Sequence, residues 1–312
     1  MTTSDKHIPL TRRTLLKRVA LGVSALVGSI AALAVVDADR AETDQPLFTH
    51  ALGASGPQLV FLPGIGATTR YWELVVGVLA IRVRLLLVDL LGFGRSPKPW
   101  TTYTVDRHIA ELHRVLAPIG TNRPFTLVAH SLGARLAVTY AARYPHDVER
   151  LVLVSLPYFG GEEQAKHFIR SRHSSGWLWT HMIPFALACL LGRRLLGWAA
   201  PLIARDVPRA VAEDVNQMTW RSSTSTMWEV IYRHDLTADI AVLPATLPLL
   251  CLHGDRDESA PLDRVLELRA KHPNCEIRVY PGADHQLPLQ QPQWVRDQLM
   301  SVVTTPSRAT NL

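Results

Sequence analysis

Short, nearly unbroken apolar runs recur along the chain, separated by stretches whose apolar positions fall three and four residues apart. Gln58–Leu62, Arg84–Asp89, Phe125–His130, Leu151–Ser155, Thr246–His253 and Glu276–Tyr280 are the runs, and each reads as a strand. Between and after them, residues 70–80, 104–116, 132–144, 262–271 and 292–303 carry helical spacing. In the second of these, Val105, Ile109, Leu112 and Leu116 line one face. Strands apolar on both sides, alternating with helices, predict an α/β fold with a mostly parallel sheet covered on both faces.

Two stretches break the alternation. From about Tyr158 to Ile240 no convincing strand occurs, and helical segments rich in Trp, Arg and His take over. Residues 158–244 are therefore expected to form a helical cap inserted into a catalytic α/β domain of residues 45–157 and 245–312. The second break is the leader, residues 1–44. Thr11-Arg12-Arg13-Thr14-Leu15-Leu16-Lys17 precedes an uncharged, largely apolar run of 18 residues, Val19–Val36. This resembles a twin-arginine export signal. Val36-Asp37-Ala38 offers small residues for cleavage, and the run is also near the lower limit of a spanning helix. Positive charge before it and Asp37, Asp39, Glu42 and Asp44 after it place the catalytic domain outside the cytoplasm, released or membrane-anchored.

Composition narrows the function classes. The chain has 312 residues, enough for one large domain with an insertion, and its 47% hydrophobic content excludes a disordered protein. Net charge is +6, but residues 1–38 supply +3 of it, and no basic run outside the leader calls for nucleic acid. Three cysteines, Cys189, Cys251 and Cys275, cannot frame a disulfide scaffold, and no His/Cys/Asp spacing suits a metal.

Candidate chemistry gathers where strands end. The Phe125 run stops at Ala129-His130-Ser131-Leu132-Gly133, and a helical pattern follows at once. A serine on such a turn needs small residues two positions either side, here Ala129 and Gly133, for strand and helix to pass closely. Alone, Ser131 also reads as a helix cap. A serine nucleophile needs a base, and the base needs an orienting acid. Gly254-Asp255-Arg256-Asp257 follows one strand and Pro281-Gly282-Ala283-Asp284-His285 the next, so a base and two candidate acids can meet Ser131 at the sheet edge. Asp89 reads as the organiser of its glycine-rich turn, and Arg135, one turn past the serine, as structural.

These stretches join Leu62-Pro63-Gly64-Ile65-Gly66 and Asp89-Leu90-Leu91-Gly92-Phe93-Gly94-Arg95-Ser96 in an order that resembles the α/β-hydrolase superfamily, in its branch of cap-containing serine hydrolases. The resemblance runs from about residue 47 to the last helix, with Ala129 in place of the first glycine of Gly-x-Ser-x-Gly. It implies Ser131 as nucleophile, His285 as base and Asp257, three residues after the glycine, as the acid. It also implies an oxyanion hole from the N–H groups of Ile65 and Leu132, and no cofactor. Serine at 131 argues against the haloalkane dehalogenases and epoxide hydrolases, which use aspartate there.

The expected activity is hydrolysis of a small carboxylic ester through an acyl-enzyme. Apolar helices rich in Trp, such as Trp177–Leu191, point to an apolar acyl or alcohol part and to membrane contact through cap or leader. The same triad fits a carbon–carbon bond hydrolase or a perhydrolase. A noncatalytic binder of apolar ligands on the same fold is the alternative of another class.

Overall fold

The computed structural model describes residues 23–24, 27–35, 45–121, 123–196 and 207–304. The paired arginines at 12 and 13, the cleavage candidate at Ala38 and residues 197–206 lie outside the described residues. Residues 27–35 are helical, and among the described residues no helix is long and apolar enough to cross a membrane.

Seven strands form one sheet in the order β1-β3-β2-β4-β5-β6-β7. They are β1 (Thr49–Leu52), β2 (Gln58–Leu62), β3 (Arg84–Val88), β4 (Phe125–His130), β5 (Val148–Val154), β6 (Leu249–Gly254) and β7 (Cys275–Tyr280). All neighbours are parallel except β1, which runs antiparallel to β3. The sequence pattern misses β1, because Thr-His-Ala-Leu is only half-buried at the sheet edge and carries no apolar run.

The alternation along each inner strand divides the core in two. Leu59, Phe61, Val128, Val152 and Leu252 face one side, where Tyr71 and Trp72 of α1 (Thr69–Val76) and Val295 and Leu299 of the C-terminal helix, Pro292–Thr304, cover them. Val60, Leu62, Leu127 and Leu153 face the other, against α2 (Val105–Gly120) and α3 (Leu132–Arg143). Burying each such side chain contributes about 1.5–3 kcal/mol, so register is fixed by both faces at once. Two predicted helices are shorter than their patterns. The first ends at Val76, after which Gly77–Ile81 tightens to a 3₁₀ turn, and the stretch 262–271 is two short helices meeting at Glu267.

Between β5 and β6 the described chain is helical: α4 (Glu162–Arg172), α5 (Gly176–Thr180), α6 (Met182–Leu196), α7 (Arg209–Asp214), α8 (Trp220–Thr226) and α9 (Leu236–Val242). A π-helical stretch, Met227–Tyr232, follows α8. Arg135 of α3 fastens this insertion to the sheet domain. Its guanidinium is buried and donates to three main-chain carbonyls: Val230 O at 2.8 Å, Pro157 O at 2.6 Å and His234 O at 2.5 Å. Burial lowers its pKa to about 10, against the pull of Asp235 and Asp239, so it stays charged at neutral pH. At the opposite side Thr68 Oγ1 donates to the buried Asp214 Oδ2 at 2.6 Å.

Replacing Arg135 by Met strands three carbonyls without a donor. Each costs on the order of 1–3 kcal/mol. Arg135→Met is expected to lower stability by about 3 kcal/mol or more in chemical denaturation. Arg135→Lys should recover only part, since one ammonium cannot reproduce the planar fork.

Candidate active site

Ser131 stands between β4 and α3 with φ 52° and ψ −117°, a backbone conformation that disfavours side chains. The strain persists because packing on both sides fixes the turn. A Cβ on Gly133 would lie 2.6 Å from Pro63 O and 2.7 Å from Leu62 O, so only glycine lets α3 start against the end of β2. A Cβ on Gly64 would come within 3.0 Å of His130 Nδ1 and 3.3 Å of Ser131 Cβ. The turn after β2 is thus pressed directly onto the serine. Ile65 follows Gly64 in that turn. Leu132 is the first residue of α3, where an N–H has no acceptor within its own helix. Val215 and Met218 of the insertion lie over the same turn, 3.4 and 3.6 Å from a Cβ placed on Gly66.

The structure brings Ser131, His285 and Asp257 together. His285 Nε2 is 2.8 Å from Ser131 Oγ, and His285 Nδ1 is 2.9 and 3.0 Å from the two carboxylate oxygens of Asp257. Asp257 Oδ1 also accepts the N–H groups of Ser259 and Ala260, each at 2.8 Å, so the loop after β6 holds the carboxylate in place. Its side chain is fully buried. Burial pushes its pKa up, but the charge of His285, the bond to it, His253 and the N–H of Ser259 outweigh this, and the net shift is down. For His285 burial pushes the pKa down, and the charge and bond of Asp257, with Asp284 beyond, carry it above 6.5. An ionised Asp257 accepts Nδ1–H and leaves Nε2 with a lone pair toward the serine hydroxyl.

The neighbouring acids have other partners. Asp255 Oδ1 accepts Gly282 N at 2.6 Å and ties the two loops together. Asp284 Oδ1 accepts Gln286 N at 2.7 Å in a local turn. Asp89 receives Thr69 N at 2.5 Å and Arg95 N at 2.7 Å, so it joins its turn to the start of α1.

Two histidines were not singled out from sequence. His130 Nε2 donates to His285 O at 2.9 Å, and its ring stacks on Tyr71 at 5.0 Å. Burial, then the nearby His285, lowers its pKa to about 3, so it is a neutral strut beneath the base. His253 Nε2 donates to Ala260 O at 3.1 Å and supports the acid loop. Adjacency of His130 to Ser131 was the signal available; for His253, nothing in the sequence marks it. Among the described residues no group of three His, Cys, Asp or Glu side chains could hold a metal ion.

The sequence model described as the Alpha/beta hydrolase family matches residues 59–298, a span that includes every residue of this cluster. The chain belongs to the alpha/beta hydrolase family. Among its curated relatives, the probable lysophospholipase BODYGUARD 1 of Arabidopsis thaliana is 26% identical over 263 residues, covering 73% of this chain and 54% of that protein. This alpha/beta hydrolase therefore spans about half of the plant relative's length. A 2-(acetamidomethylene)succinate hydrolase of Mesorhizobium japonicum is 29% identical over 239 residues, 74% of this chain and 82% of that protein. A solved structure of a thermophilic esterase from Thermogutta terrifontis superposes with a TM-score of 0.63 at 19% identity, covering 83% of this chain and 94% of that one. The last likeness establishes shared fold. The alpha/beta hydrolase fold is also what the sheet order and flanking helices display.

Proposed function

We propose that this protein is a serine hydrolase that cleaves carboxylic esters with an apolar acyl or alcohol part. The observation that carries the reading is the unbroken relay from Ser131 Oγ through His285 to a buried Asp257. In the proposed reaction Ser131 Oγ attacks the ester carbonyl while His285 Nε2 takes its proton. The developing oxyanion is received by the N–H groups of Ile65 and Leu132, which need no reorganisation to act. His285 then protonates the departing alkoxide, leaving an acyl group on Ser131. Water, deprotonated by His285, attacks that acyl-enzyme and frees the acid and the serine. Residues 158–244 serve as the cap in this reading, and the apolar side chains of Val215 and Met218 over the turn that carries Ile65 support an apolar substrate. The leader's charge pattern supports a position outside the cytoplasm.

A chromogenic ester series from acetyl to palmitoyl tests the proposal. Turnover by the intact chain is expected to rise from acetyl toward medium acyl lengths. A preference for short polar esters would remove the apolar part of the reading. The similarity to the Mesorhizobium enzyme favours a second reading, hydrolysis of a bond other than an ester by the same serine. Labelling of Ser131 by a fluorophosphonate without turnover of any ester in the series would select it.

A further inference from the structure

We propose that the segment Ser175–Ile183, at the turn between α5 and α6, docks on the surface of an anionic lipid bilayer. This inference does not depend on the chemistry at Ser131. The inner side of the segment is anchored. Phe185 is buried between Trp179 and Trp228, whose ring centroids lie 5.2 and 5.9 Å away, and Tyr232 Oη donates to Trp179 O at 2.8 Å. Its outer side carries large apolar groups in solvent. Ile183 is 74% exposed and Trp177 61%, with Met182 and part of Trp179 beside them.

No polar side chain occurs from Met182 to Leu191, so α6 has no solvent face over its first ten residues. A helix apolar all round requires cover on every side, and among its described residues only Phe185 and Leu190 are buried. Charge identifies the cover. From Gln164 to Arg205 the chain has no Asp or Glu and six Lys or Arg. Arg170 and Arg172 are exposed at the end of α4, and the packing of Gly176 on Arg170, with the Arg170 Nε bond to Thr180 Oγ1 at 2.8 Å, holds them beside the tryptophans. Exposed Trp and Ile beside the exposed Arg170 and Arg172, on a stretch of chain that carries no acid of its own, complement an interface of acyl chains beneath anionic headgroups, with Glu258 near His173 at the edge of the patch.

Hydrogen exchange of the full chain tests this, with vesicles of phosphatidylcholine alone or mixed with phosphatidylglycerol. Amides of residues 175–185 are expected to exchange several-fold more slowly with mixed vesicles than with neutral ones. The double variant Trp177→Ser, Ile183→Asp should lose that protection, while thermal unfolding stays close to that of the parent because both side chains lie outside the core. Vesicle binding that protects only residues of the leader overturns the proposal. So does equal protection on neutral vesicles. Protection that grows with protein concentration without lipid would assign the patch to a second copy instead.

Discussion

Ser131→Ala is expected to abolish ester turnover, lowering kcat by about 10⁴-fold or more while the fold persists. In the proposed mechanism the loss is large because Oγ, the one heavy atom removed, is the atom that forms the covalent bond. His285 would retain its Asp257 contact, so the base remains oriented with nothing to deprotonate but water. Residual activity would report the contribution of the N–H groups at Ile65 and Leu132 and of binding alone. The backbone makes a second, opposite expectation. At φ 52° and ψ −117° a side chain costs about 1–3 kcal/mol, and glycine does not pay it. Ser131→Gly should therefore be inactive and yet more stable by about 1 kcal/mol, after allowing for the extra freedom of glycine in the unfolded chain. Denaturation curves beside single-turnover kinetics check both. A Ser131→Ala variant with near-parental kcat would end the acyl-enzyme mechanism.

Asp257→Asn is expected to lower kcat by about 10⁴-fold, through the tautomer of His285 and with little loss of shape. The N–H groups of Ser259 and Ala260 both point at Oδ1, so the asparagine oxygen is held there. Its amide then faces His285 Nδ1 as a donor. Nδ1 must become the acceptor, the proton moves to Nε2, and the ring can no longer accept from Ser131. The pH profile separates this from a merely structural defect. In the parent, the neighbouring carboxylate holds the His285 pKa above 6.5, so the acid limb of activity lies above that value and turnover rises as pH rises through it. Without the carboxylate charge the limb should move down. Stability carries the same coupling with its own signs. The depressed Asp257 pKa gives stability that is present above the unfolded carboxylate value and lost as pH falls through the folded one. The raised His285 pKa gives stability that is fully present below 6.5 and lost as pH rises through the folded value. The ion pair is thus strongest where the base is protonated and idle.

What could be read from sequence divides along physical lines. Inner strands such as β4 and β6 are buried on both faces and must be apolar throughout, so their pattern is plain. The turn after β4 was legible because Gly133 answers to a close approach of the β2 backbone, which no other residue type satisfies. β1 was not, since an edge strand half in solvent can be built from Thr, His, Ala and Leu. The choice between Asp255 and Asp257 rested on family spacing; in the structure both make short bonds, but Asp257 is buried against His285 while Asp255 is exposed and turned to Gly282 N. The roles of His130 and His253 depend on carbonyls brought near by the turns, and carbonyls are present at every residue.

Arg135 shows what such backbone recognition means over longer times. Its three acceptors belong to Pro157, Val230 and His234, yet it touches each through the main chain. The clasp grips the insertion by its main chain, and the side chains of Asp235 and Asp239 act on it only through their charge. Lineages could therefore change the side chains of residues 158–244 that lie away from Arg135, substitution by substitution, while the attachment to the sheet domain is inherited unchanged.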